Sequence, residues 1–350
     1  MKTFFAIGLM SGTSLDGLDL CYVQFSYPTM EFKILKAQTL EYSDEWKDRL
    51  KNSIHLSGEQ LTKLDVDYGF HLGEMVASFI QNHQISDLDF IASHGHTVFH
   101  KPKEFYTLQI GNGAGIYAKT GIKTIYNFRI QDVILGGQGA PLVPIGDEIL
   151  FGQYDACLNL GGFSNISFRR NEKRLAFDIC PVNIILNHLA EKIGQNYDRN
   201  GEIARNGNIS DELVLQLNEL EFYHQAPPKS LGIEWCLETI HPILNNSQLS
   251  TEDLIASFTE HIAVQIAAIF NQNKLENCLV TGGGAYNQFL ISSIQKKTTT
   301  EIILPENQRI EYKEALIFAL MGLLKLENQV NVFQSVTGAS KDHSTGLIVG

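Results

Sequence analysis

A glycine- and hydroxyl-rich segment near the start of the chain has the residue types that bind phosphate. Residues 11–17 read Ser-Gly-Thr-Ser-Leu-Asp-Gly and lie between two apolar runs. Glycines let the backbone approach a ligand closely, and successive N–H groups with hydroxyls can hold phosphate oxygens. Asp16 has the carboxylate that a hydrated Mg²⁺ prefers. A plain β-hairpin turn is the alternative, and the absence of Gly-Lys-Ser/Thr rules out a Walker A loop.

Two further glycine turns follow in the second half of the chain. Residues 160–165 read Leu-Gly-Gly-Phe-Ser-Asn, and residues 280–287 read Val-Thr-Gly-Gly-Gly-Ala-Tyr-Asn. Two phosphate-binding hairpins that face each other across a cleft would clamp a polyphosphate, and the third turn suits packing of adenine against backbone. It does not complete a dinucleotide fingerprint, which needs glycine where Asn287 stands. Simple turn geometry is the alternative for each segment.

A carboxylate stands where a predicted strand gives way to a predicted helix. Asp178 follows an apolar run, and Pro181 is well placed to open a helix. Asp178 is therefore either a general base facing a cleft or a helix N-cap. The neighbouring Cys180 has no histidine close to it in sequence, so it is not an obvious nucleophile.

Histidines and an arginine form a second polar group. His94, His96 and His100 would share one face of a strand. Zinc ligation is one hypothesis, but the segment has no His-Glu-x-x-His pattern and no clustered carboxylate, which favours polar contact with a substrate. Arg129, ahead of the glycine-rich run 136–142, is suited to bidentate binding of a carboxylate or to a surface ion pair.

Strands and helices must position these residues, and both are predicted from hydrophobic patterns. The predicted strands cover residues 3–9, 18–25, 32–40, 88–93, 106–110, 156–160, 166–168, 175–177, 278–281 and 302–304. The predicted helices cover residues 58–83, 181–193, 254–270, 285–294 and 313–326.

The order of these elements repeats. Each half begins with a strand, a glycine turn and a returning strand, and the turn glycines Gly12 and Gly162 lie 150 residues apart. The duplication predicts two closely joined α/β domains, over residues 1–150 and 151–350.

Composition excludes several classes of protein. The net charge of −12 argues against binding of nucleic acid by bulk charge. No uninterrupted apolar run reaches the ~18 to 20 residues that span a bilayer. Five widely spaced cysteines without a C-x-x-C pattern favour a reduced cytosol. The apolar run 4–10 is interpreted as a buried strand and not as a signal peptide, because no A-x-A-type cleavage site follows.

Taken together and in this order, these segments resemble the anhydro-N-acetylmuramic acid kinases, a family of the actin-like ATPase superfamily. The resemblance covers essentially the whole chain. Its most specific motifs are Ser-Gly-Thr-Ser-x-Asp-Gly at 11–17 and Gly-Gly-Gln-Gly-Ala-Pro-Leu at 136–142. It implies an α/β fold in which two actin-like (ribonuclease H-like) domains, each with a central mixed sheet, surround an interdomain cleft.

The resemblance also implies site residues, with Asp178 matching the family's catalytic aspartate. The residues expected to bind ATP are Gly12, Thr13, Ser14, Leu15, Asp16, Gly17, Leu18, Asp19, Gly161, Gly162, Ser164, Asn165, Gly282, Gly283 and Gly284. Those expected to contact the sugar are Ser93, His94, His96, Thr97, Asn127, Arg129 and Gln138. Asp16 and Glu314 are both candidates to hold Mg²⁺.

The implied reaction is an ATP-dependent ring opening with phosphorylation. Water would open the 1,6-anhydro ring of anhydro-N-acetylmuramic acid while the γ-phosphoryl group of ATP moves to O6, in peptidoglycan recycling. One base must take a proton from the water, and Mg²⁺ would absorb charge on the phosphates. We expect ATP and Mg²⁺ as cofactors and a small amino sugar as substrate, with no nucleic-acid or membrane partner. We also expect a cytoplasmic location, and a homodimer is one possible oligomeric state.

The sequence departs from the family pattern beside Asp178. Ile179, Cys180 and Val182 stand where Thr and two Gly are usual, and His96 replaces a Gln. Two alternatives therefore stay open: a kinase for a different small sugar or acid, and a nucleotide-binding sensor without phosphotransfer. We expect the three side chains to point into the core and the family substrate to be kept, because the other substrate-side segments keep the family pattern.

Overall fold

A computed structural model describes residues 1–12, 15–227 and 229–350. The chain divides into two compact units. The first is made of Met1–Leu150 and Tyr312–Gly350, and the second is made of Phe151–Glu311. The expected second domain, 151–350, differs from this division because residues 312–350 return to the first unit.

Strands form the centre of both units. In chain order they are β1 Lys2–Ser11, β2 Gly17–Tyr27, β3 Glu31–Glu41, β4 Phe90–Ser93, β5 His96–Lys101, β6 Tyr106–Ile110, β7 Thr124–Tyr126, β8 Ala156–Leu160, β9 Phe163–Arg170, β10 Lys173–Pro181, β11 Asn277–Thr281, β12 Glu301–Ile303 and β13 Leu347–Val349. The first unit has a six-stranded sheet in the order β13-β7-β4-β1-β2-β3 and a ribbon of β5 and β6. The second unit has a five-stranded sheet in the order β10-β9-β8-β11-β12.

The two sheets share one topology. In the first unit β1, β2 and β3 are antiparallel neighbours, and β4 and β7 continue from β1 in parallel. In the second unit β8, β9 and β10 are antiparallel, and β11 and β12 continue from β8 in parallel. This strand order, with this mixture of directions, is the actin-like arrangement. The expected mixed sheet in each half is therefore confirmed.

Helices flank the sheets. In chain order they are α1 Asp44–Lys51, α2 Gly58–Asn82, α3 Gly113–Thr120, α4 Ile130–Ile134, α5 Pro144–Ile149, α6 Asn183–Glu191, α7 Glu202–Asn206, α8 Asp211–Asn218, α9 Glu221–His224, α10 Ile233–Trp235, α11 His241–Asn246, α12 Thr251–Asn273, α13 Gln288–Gln295, α14 Asn307–Leu326 and α15 Gln334–Thr337.

The longest helices begin at polar caps and bury an apolar face. Ser57 forms a capping box with Gln60 at the start of α2, and the side chain of Ser250 caps α12. Apolar residues at three- and four-residue spacing then pack α2 into the core of the first unit, with β1 and β2. The apolar face of α12 packs into a separate core, with the strands of the second unit.

Segment 312–350 is joined to the first unit by strand pairing and by close helix packing. β13 pairs antiparallel with β7. Gly8 of β1 lies so close to α14 that an added Cβ would overlap the carbonyl oxygen of Ala315. Helical geometry breaks inside α14 at Tyr312 (φ −108°, ψ 16°), where the first unit resumes.

Most predicted elements are present, and the differences have local causes. β6 and β8 have the predicted bounds, and α2 differs from its prediction by one residue at its end. Pro181 does not open a helix; it is the last residue of β10, paired with Phe163, and α6 begins at Asn183. β5, β7, β13 and the short helices were not predicted, because segments of this length carry too few repeats of a hydrophobic pattern.

Helix α12 is long and apolar enough to cross a membrane by length and composition alone, and 67% of its apolar stretch is buried within the structure. Polar residues interrupt this stretch, so it contains no long uninterrupted apolar run. Its burial is that of a core helix.

Candidate active site

The first predicted phosphate loop closes the hairpin between β1 and β2. Thr13 and Ser14 lie outside the described residues. Gly12 leaves β1, Leu15 adopts a left-handed backbone (φ 60°), and Asp16 is exposed. The hairpin therefore places one predicted carboxylate in solvent at its tip.

The residues that follow the turn differ in what they can offer a ligand. An added Cβ at Gly17 would overlap the carbonyl oxygen of Leu40 on β3. Leu18 is 1% exposed and belongs to the core, so its side chain does not reach a ligand. Asp19 accepts a hydrogen bond from the hydroxyl of Thr39 on β3 (2.6 Å). Of these three predicted ATP contacts, only Asp19 presents a polar side chain.

Buried hydroxyls lie at the base of this hairpin. Tyr68 on α2 donates a hydrogen bond to Ser11 Oγ (3.0 Å), and its hydroxyl oxygen lies 2.6 Å from that of Tyr42. All three side chains are buried. Sequence reasoning missed this chain because its members are far apart in sequence.

The second predicted phosphate loop closes the hairpin between β8 and β9. The carbonyl oxygen of Gly162 accepts hydrogen bonds from the N–H groups of Val182 (2.8 Å) and Ile184 (3.2 Å) at the start of α6. Next to it, Asn183 donates a side-chain hydrogen bond to the carbonyl of Leu160 (3.1 Å). An added Cβ at Gly162 would meet no atom closer than 3.9 Å, so open space lies beside this glycine.

The glycine triplet 282–284 packs against the end of β8, beside this hairpin. Gly282 has a positive φ of 83°, and an added Cβ there or at Gly284 would collide with Leu160. Gly283 differs, because its nearest neighbour would be Asn183 Nδ2 at 3.8 Å. The structure thus brings the second and third predicted nucleotide segments together within the second unit.

Ser164 is placed differently from the expectation that it binds phosphate. Its side chain is 0% exposed, and its hydroxyl donates to the carbonyl oxygen of Cys180 (2.9 Å) while accepting from the N–H of Cys180 (3.1 Å). The hydroxyl is therefore buried and used by the backbone of β10. Asn165, one residue further along β9, is only half-buried and pairs with Asp178.

Asp178 lies at a bulge in β10, where the pairing register with β9 shifts. Its Oδ2 accepts a hydrogen bond from the N–H of Leu231 (2.8 Å), and its own N–H donates to the carbonyl oxygen of Lys229 (3.1 Å). The N-cap alternative is wrong, because the cap position of α6 is Val182.

Burial dominates the ionisation of Asp178. It raises the pKa of the carboxyl group, and the Leu231 hydrogen bond lowers the pKa in part. A carboxylate whose pKa is closer to neutral is a better proton acceptor at neutral pH. Asp178 is half-buried and so, unlike its neighbours Ile179 and Cys180, is not sealed in the core.

The three residues that depart from the family pattern are all buried. Ile179, Cys180 and Val182 belong to the hydrophobic core of the second unit, and none is more than 2% exposed. The expectation that these side chains point into the core is therefore confirmed.

In the first unit, Arg129 and His94 form a fixed pair. Arg129 Nε donates to His94 Nε2 (2.9 Å), and Arg129 Nη1 donates to the carbonyl oxygen of Gly139 (2.5 Å). His94 Nε2 therefore carries no proton, and His94 Nδ1 donates to the carbonyl oxygen of Gly95 (2.9 Å). Burial, and then the charge of Arg129, lower the pKa of His94 well below its usual value, so the ring is neutral.

Other predicted sugar contacts lie around this pair. Ser93 Oγ and His96 Nδ1 are buried and have no hydrogen-bond partner among the residues that the structure describes. This is the pattern expected where a polar ligand completes a site. Thr97 accepts a hydrogen bond from Gln109 Nε2 (3.3 Å), a residue that sequence reasoning did not single out.

Two predicted contacts lie on loops. Asn127 is half-buried with a left-handed backbone (φ 58°). Gln138 has an exposed side chain, and its N–H donates to the carbonyl oxygen of Thr337 (2.8 Å). Neither placement tests a role in sugar binding.

A buried aspartate that sequence reasoning missed holds the loop 136–139. Asp132 accepts hydrogen bonds from the N–H of Gly139 (2.6 Å) and from the hydroxyl of Thr337 (2.7 Å). His343 Nε2 lies 3.6 Å from the same carboxylate. Because Gly139 in turn accepts from Arg129, this carboxylate helps to fix the guanidinium group.

The structure does not support zinc binding by His94, His96 and His100. His94 precedes β5 and is separated from it by Gly95, whose φ is 76°, so the three histidines do not share one strand. Within residues 1–12, 15–227 and 229–350, no group of three or more His, Cys, Asp and Glu residues could hold a metal ion.

The two carboxylates proposed for Mg²⁺ have different surroundings. Asp16 is exposed at the hairpin tip. Burial raises the pKa of Glu314, Arg129 and Lys313 lower it, and the charge of Asp19 raises it. Asp19 and Glu314 therefore act on each other electrostatically within the first unit. Mg²⁺ in phosphate-transferring sites is held by one or two carboxylates plus phosphates and waters, so the carboxylates of Asp16 and Glu314 are of the type that suits the ion.

Two units with one strand order, each with a glycine-containing turn between its first two strands, define a protein of the actin-like fold class. A family profile described as anhydro-N-acetylmuramic acid kinase matches residues 4–350. The chain belongs to the anhydro-N-acetylmuramic acid kinase family.

Individual relatives agree with the profile. The anhydro-N-acetylmuramic acid kinases of Francisella tularensis subsp. novicida and of Clostridioides difficile are each 33% identical to this chain, over 98% of this chain and 98% of the relative. The protein of that name from Aliivibrio fischeri is 34% identical over the same shares.

Proposed function

We propose that this chain is an ATP-dependent kinase that opens the 1,6-anhydro ring of anhydro-N-acetylmuramic acid with water and phosphorylates O6. The product is N-acetylmuramic acid 6-phosphate, in peptidoglycan recycling in the cytoplasm. The observation that carries the proposal is Asp178, a half-buried carboxylate with a raised pKa at a strand bulge. The names of the relatives support the choice of substrate.

Asp178 is the general base of the proposed reaction. It takes a proton from the water that attacks the anomeric carbon, and the bond between that carbon and O6 breaks. O6 then attacks the γ-phosphorus of ATP, and ADP leaves. The raised pKa helps Asp178 to accept the proton near neutral pH.

Arg129 is the proposed contact for the carboxylate of the sugar's lactyl group. Its Nε and Nη1 are used by His94 and Gly139. Nη2 makes no hydrogen bond among the described residues, so it is the nitrogen available to a ligand. The neutral His94 accepts from Arg129 without adding a charge, while the carboxylates of Glu314 and Asp132 act on the guanidinium group electrostatically.

ATP is the proposed phosphoryl donor. Gly162 and Gly283 both face open space in the second unit, which suits close approach of phosphate and adenosine to backbone. Asp16 and Glu314 are the residues proposed to hold Mg²⁺, which would neutralise charge on the phosphates, and Asp19 is a third carboxylate that acts electrostatically on Glu314.

The alternative of a different small sugar or acid has no structural observation in its favour. It rested on Ile179, Cys180 and Val182, whose side chains lie in the core. The five cysteines are all buried and form no disulfide with one another, which supports the proposed cytoplasmic location.

A phosphotransfer assay tests the proposal. The protein is incubated with anhydro-N-acetylmuramic acid, ATP and Mg²⁺, and the phosphorylated sugar is detected by mass. We expect N-acetylmuramic acid 6-phosphate with one oxygen from the solvent when H₂¹⁸O is used. Stabilisation against heat by nucleotide, with no product from this sugar, would instead support the sensor.

The Asp178→Asn variant tests the role of the base. Since an amide cannot accept the proton, we expect turnover to fall by ~10² to 10⁴-fold while ATP binding changes little. Asp198→Asn is the matched control, because Asp198 is a buried carboxylate in the same unit that accepts from the N–H groups of Ile203 and Ala204. The control should lose stability and keep its activity. If Asp178→Asn kept more than a tenth of the activity, Asp178 would not be the base.

A further inference from the structure

Two structural elements contact the part of β10 that carries Asp178, and their contacts have no part in the proposed binding of ATP or sugar. One is strand β9, through the buried hydroxyl of Ser164. The other is the loop at residues 229–231, which follows α9. Both elements belong to the second unit. The first forms hydrogen bonds with the backbone of β10, and the second forms them with the backbone and the side chain of Asp178.

Ser164 fixes the bulge in β10. Asp178 pairs with Asn165, and the next paired residue of β10 is Cys180, opposite Ser164, so that Ile179 is the extra residue. The Ser164 hydroxyl forms hydrogen bonds with both backbone polar groups of Cys180: it accepts from the N–H (3.1 Å) and donates to the carbonyl oxygen (2.9 Å). A bulge re-aims the side chains beside it, and here the side chain beside it is Asp178.

The loop at residues 229–231 holds the carboxylate itself. The N–H of Leu231 donates to Asp178 Oδ2 (2.8 Å), and the carbonyl oxygen of Lys229 accepts from the N–H of Asp178 (3.1 Å). The loop is anchored in turn, because Lys229 Nζ donates to the carbonyl oxygen of Phe222 (2.9 Å) and lies over its ring (4.5 Å). Oδ2 is occupied by Leu231, whereas Oδ1 makes no hydrogen bond among the described residues, and we assign it to the water.

We propose that Ser164 and the Leu231 N–H are positioning groups, which aim the carboxylate of Asp178 at the attacking water. Ser164 acts through the shape of β10, and Leu231 acts through Oδ2. The proposal rests on the proposed role of Asp178 as base. It replaces the phosphate contact expected for Ser164 with a role in proton transfer.

The charge of Asp178 is set by few neighbours. On its own strand, burial raises the pKa of the Cys180 thiol to about 12, so that group is neutral at physiological pH. Around Cys180, burial lowers the pKa of Lys229 and raises that of Tyr223 on α9 well above its usual value. The Leu231 N–H is thus the contact whose removal should change the ionisation of Asp178.

Ser164→Ala separates the two roles of the hydroxyl. A positioning role predicts that kcat falls by about 10- to 100-fold, because the base is misplaced, while KM for ATP stays within twofold. If Ser164 instead contacts a phosphate of ATP, KM for ATP should rise and kcat should change little. Ser257→Ala is the matched control, because Ser257 is equally buried on α12, accepts from the N–H of Ser210 (2.8 Å) and donates to the carbonyl oxygen of Asp253 (2.7 Å). It should lose stability and keep kcat.

Leu231→Pro and Leu231→Ala form the second pair. Only the proline removes the N–H, which lowers the pKa of Asp178 in the natural protein. We expect the acid limb of the kcat/KM profile to move to higher pH by about one unit in Leu231→Pro, and to stay in place in Leu231→Ala. Identical profiles for the two variants would overturn the proposal, as would a raised KM for ATP with normal kcat in Ser164→Ala.

These outcomes are distinct from failure of the proposed function. Wild-type protein that does not phosphorylate the sugar, or Asp178→Asn that remains active, removes the base itself. Nucleotide binding by each variant, measured by calorimetry, shows that the second unit is folded. If Leu231→Pro is folded but inactive, its pH profile cannot be measured. The proposal then stands if kcat falls in Ser164→Ala but not in Ser257→Ala, and fails if kcat is unchanged in both.

Discussion

Several histidines of this protein are held neutral by burial. Burial lowers the pKa of His96 to about 4 and that of His261 to about 3. His261 lies on α12 with its ring nitrogens 2.6 Å from Asn218 Oδ1 and 2.9 Å from the Tyr223 hydroxyl. The unfolded chain binds a proton at such a histidine below its ordinary pKa of about 6.5, whereas the folded chain does not. Stability should therefore fall as the pH drops below that value.

His261→Gln tests this linkage. Between pH 7.5 and pH 5 the natural histidine should cost about 2 kcal/mol of the free energy of unfolding, since each pH unit below the unfolded pKa is worth about 1.4 kcal/mol. The glutamine variant starts less stable, because it loses hydrogen bonds, but its loss between the two pH values should be smaller by that amount. Urea unfolding at both pH values measures it, with exposed His55→Gln as control. Equal pH dependence in all three proteins would contradict a neutral, buried His261.

At the scale of elements, the two glycine hairpins were predictable from sequence because each is a local pattern between apolar runs. The roles of single residues inside them were not. Leu18 and Ser164 lie in predicted ligand segments, yet both side chains are buried, since alternation along a strand sends neighbouring side chains to opposite faces.

Long-range contacts explain the remaining misses. Asp132 meets Thr337 across 205 residues of sequence, and no local pattern encodes such a pair. Pro181 was expected to open a helix on its fixed φ, but the same φ is acceptable at the end of a strand. Asp178 was predictable as a candidate base because it follows an apolar run, and the family resemblance then assigned it the catalytic role, although three neighbouring residues depart from the motif.

The glycine triplet 282–284 offers a test of the nucleotide site. Gly283→Ala has room for its Cβ, so the protein should fold normally and bind ATP at least several-fold more weakly if adenosine lies against this backbone. Gly282→Ala should lose stability, because its positive φ and its contact with Leu160 leave no space. Thermal unfolding and nucleotide titration of both variants distinguish them. If Gly283→Ala binds ATP with unchanged affinity, adenosine does not lie against this backbone.

At the scale of the whole molecule, the first unit is built from two separate stretches of chain. α14 lies against β1 at Gly8, and β13 adds to the sheet beside β7. The second unit is continuous, Phe151–Glu311. Continuity in sequence should therefore decide which unit can fold alone.

Fragments test this expectation. A fragment of residues 151–311 should unfold cooperatively, whereas a fragment of residues 1–150 should not, because the face of β1 under α14 would be exposed. Joining residues 312–350 to 1–150 through a short flexible linker should restore cooperative unfolding. Circular dichroism during heating measures each case. A cooperative transition in the 1–150 fragment would show that α14 and β13 are dispensable to the first unit.

The same discontinuity has a consequence during translation. Chains are made at roughly 5–20 residues per second, and domains usually fold in the order in which they emerge. Here β1–β7 emerge first but wait roughly ten to thirty seconds, while Phe151–Glu311 is synthesised, before α14 and β13 arrive. During that interval the edge of β7 is unpaired, and an unpaired edge invites pairing with another chain. The nascent protein should therefore be most exposed to aggregation, and to capture by chaperones on the ribosome, while its middle is being made.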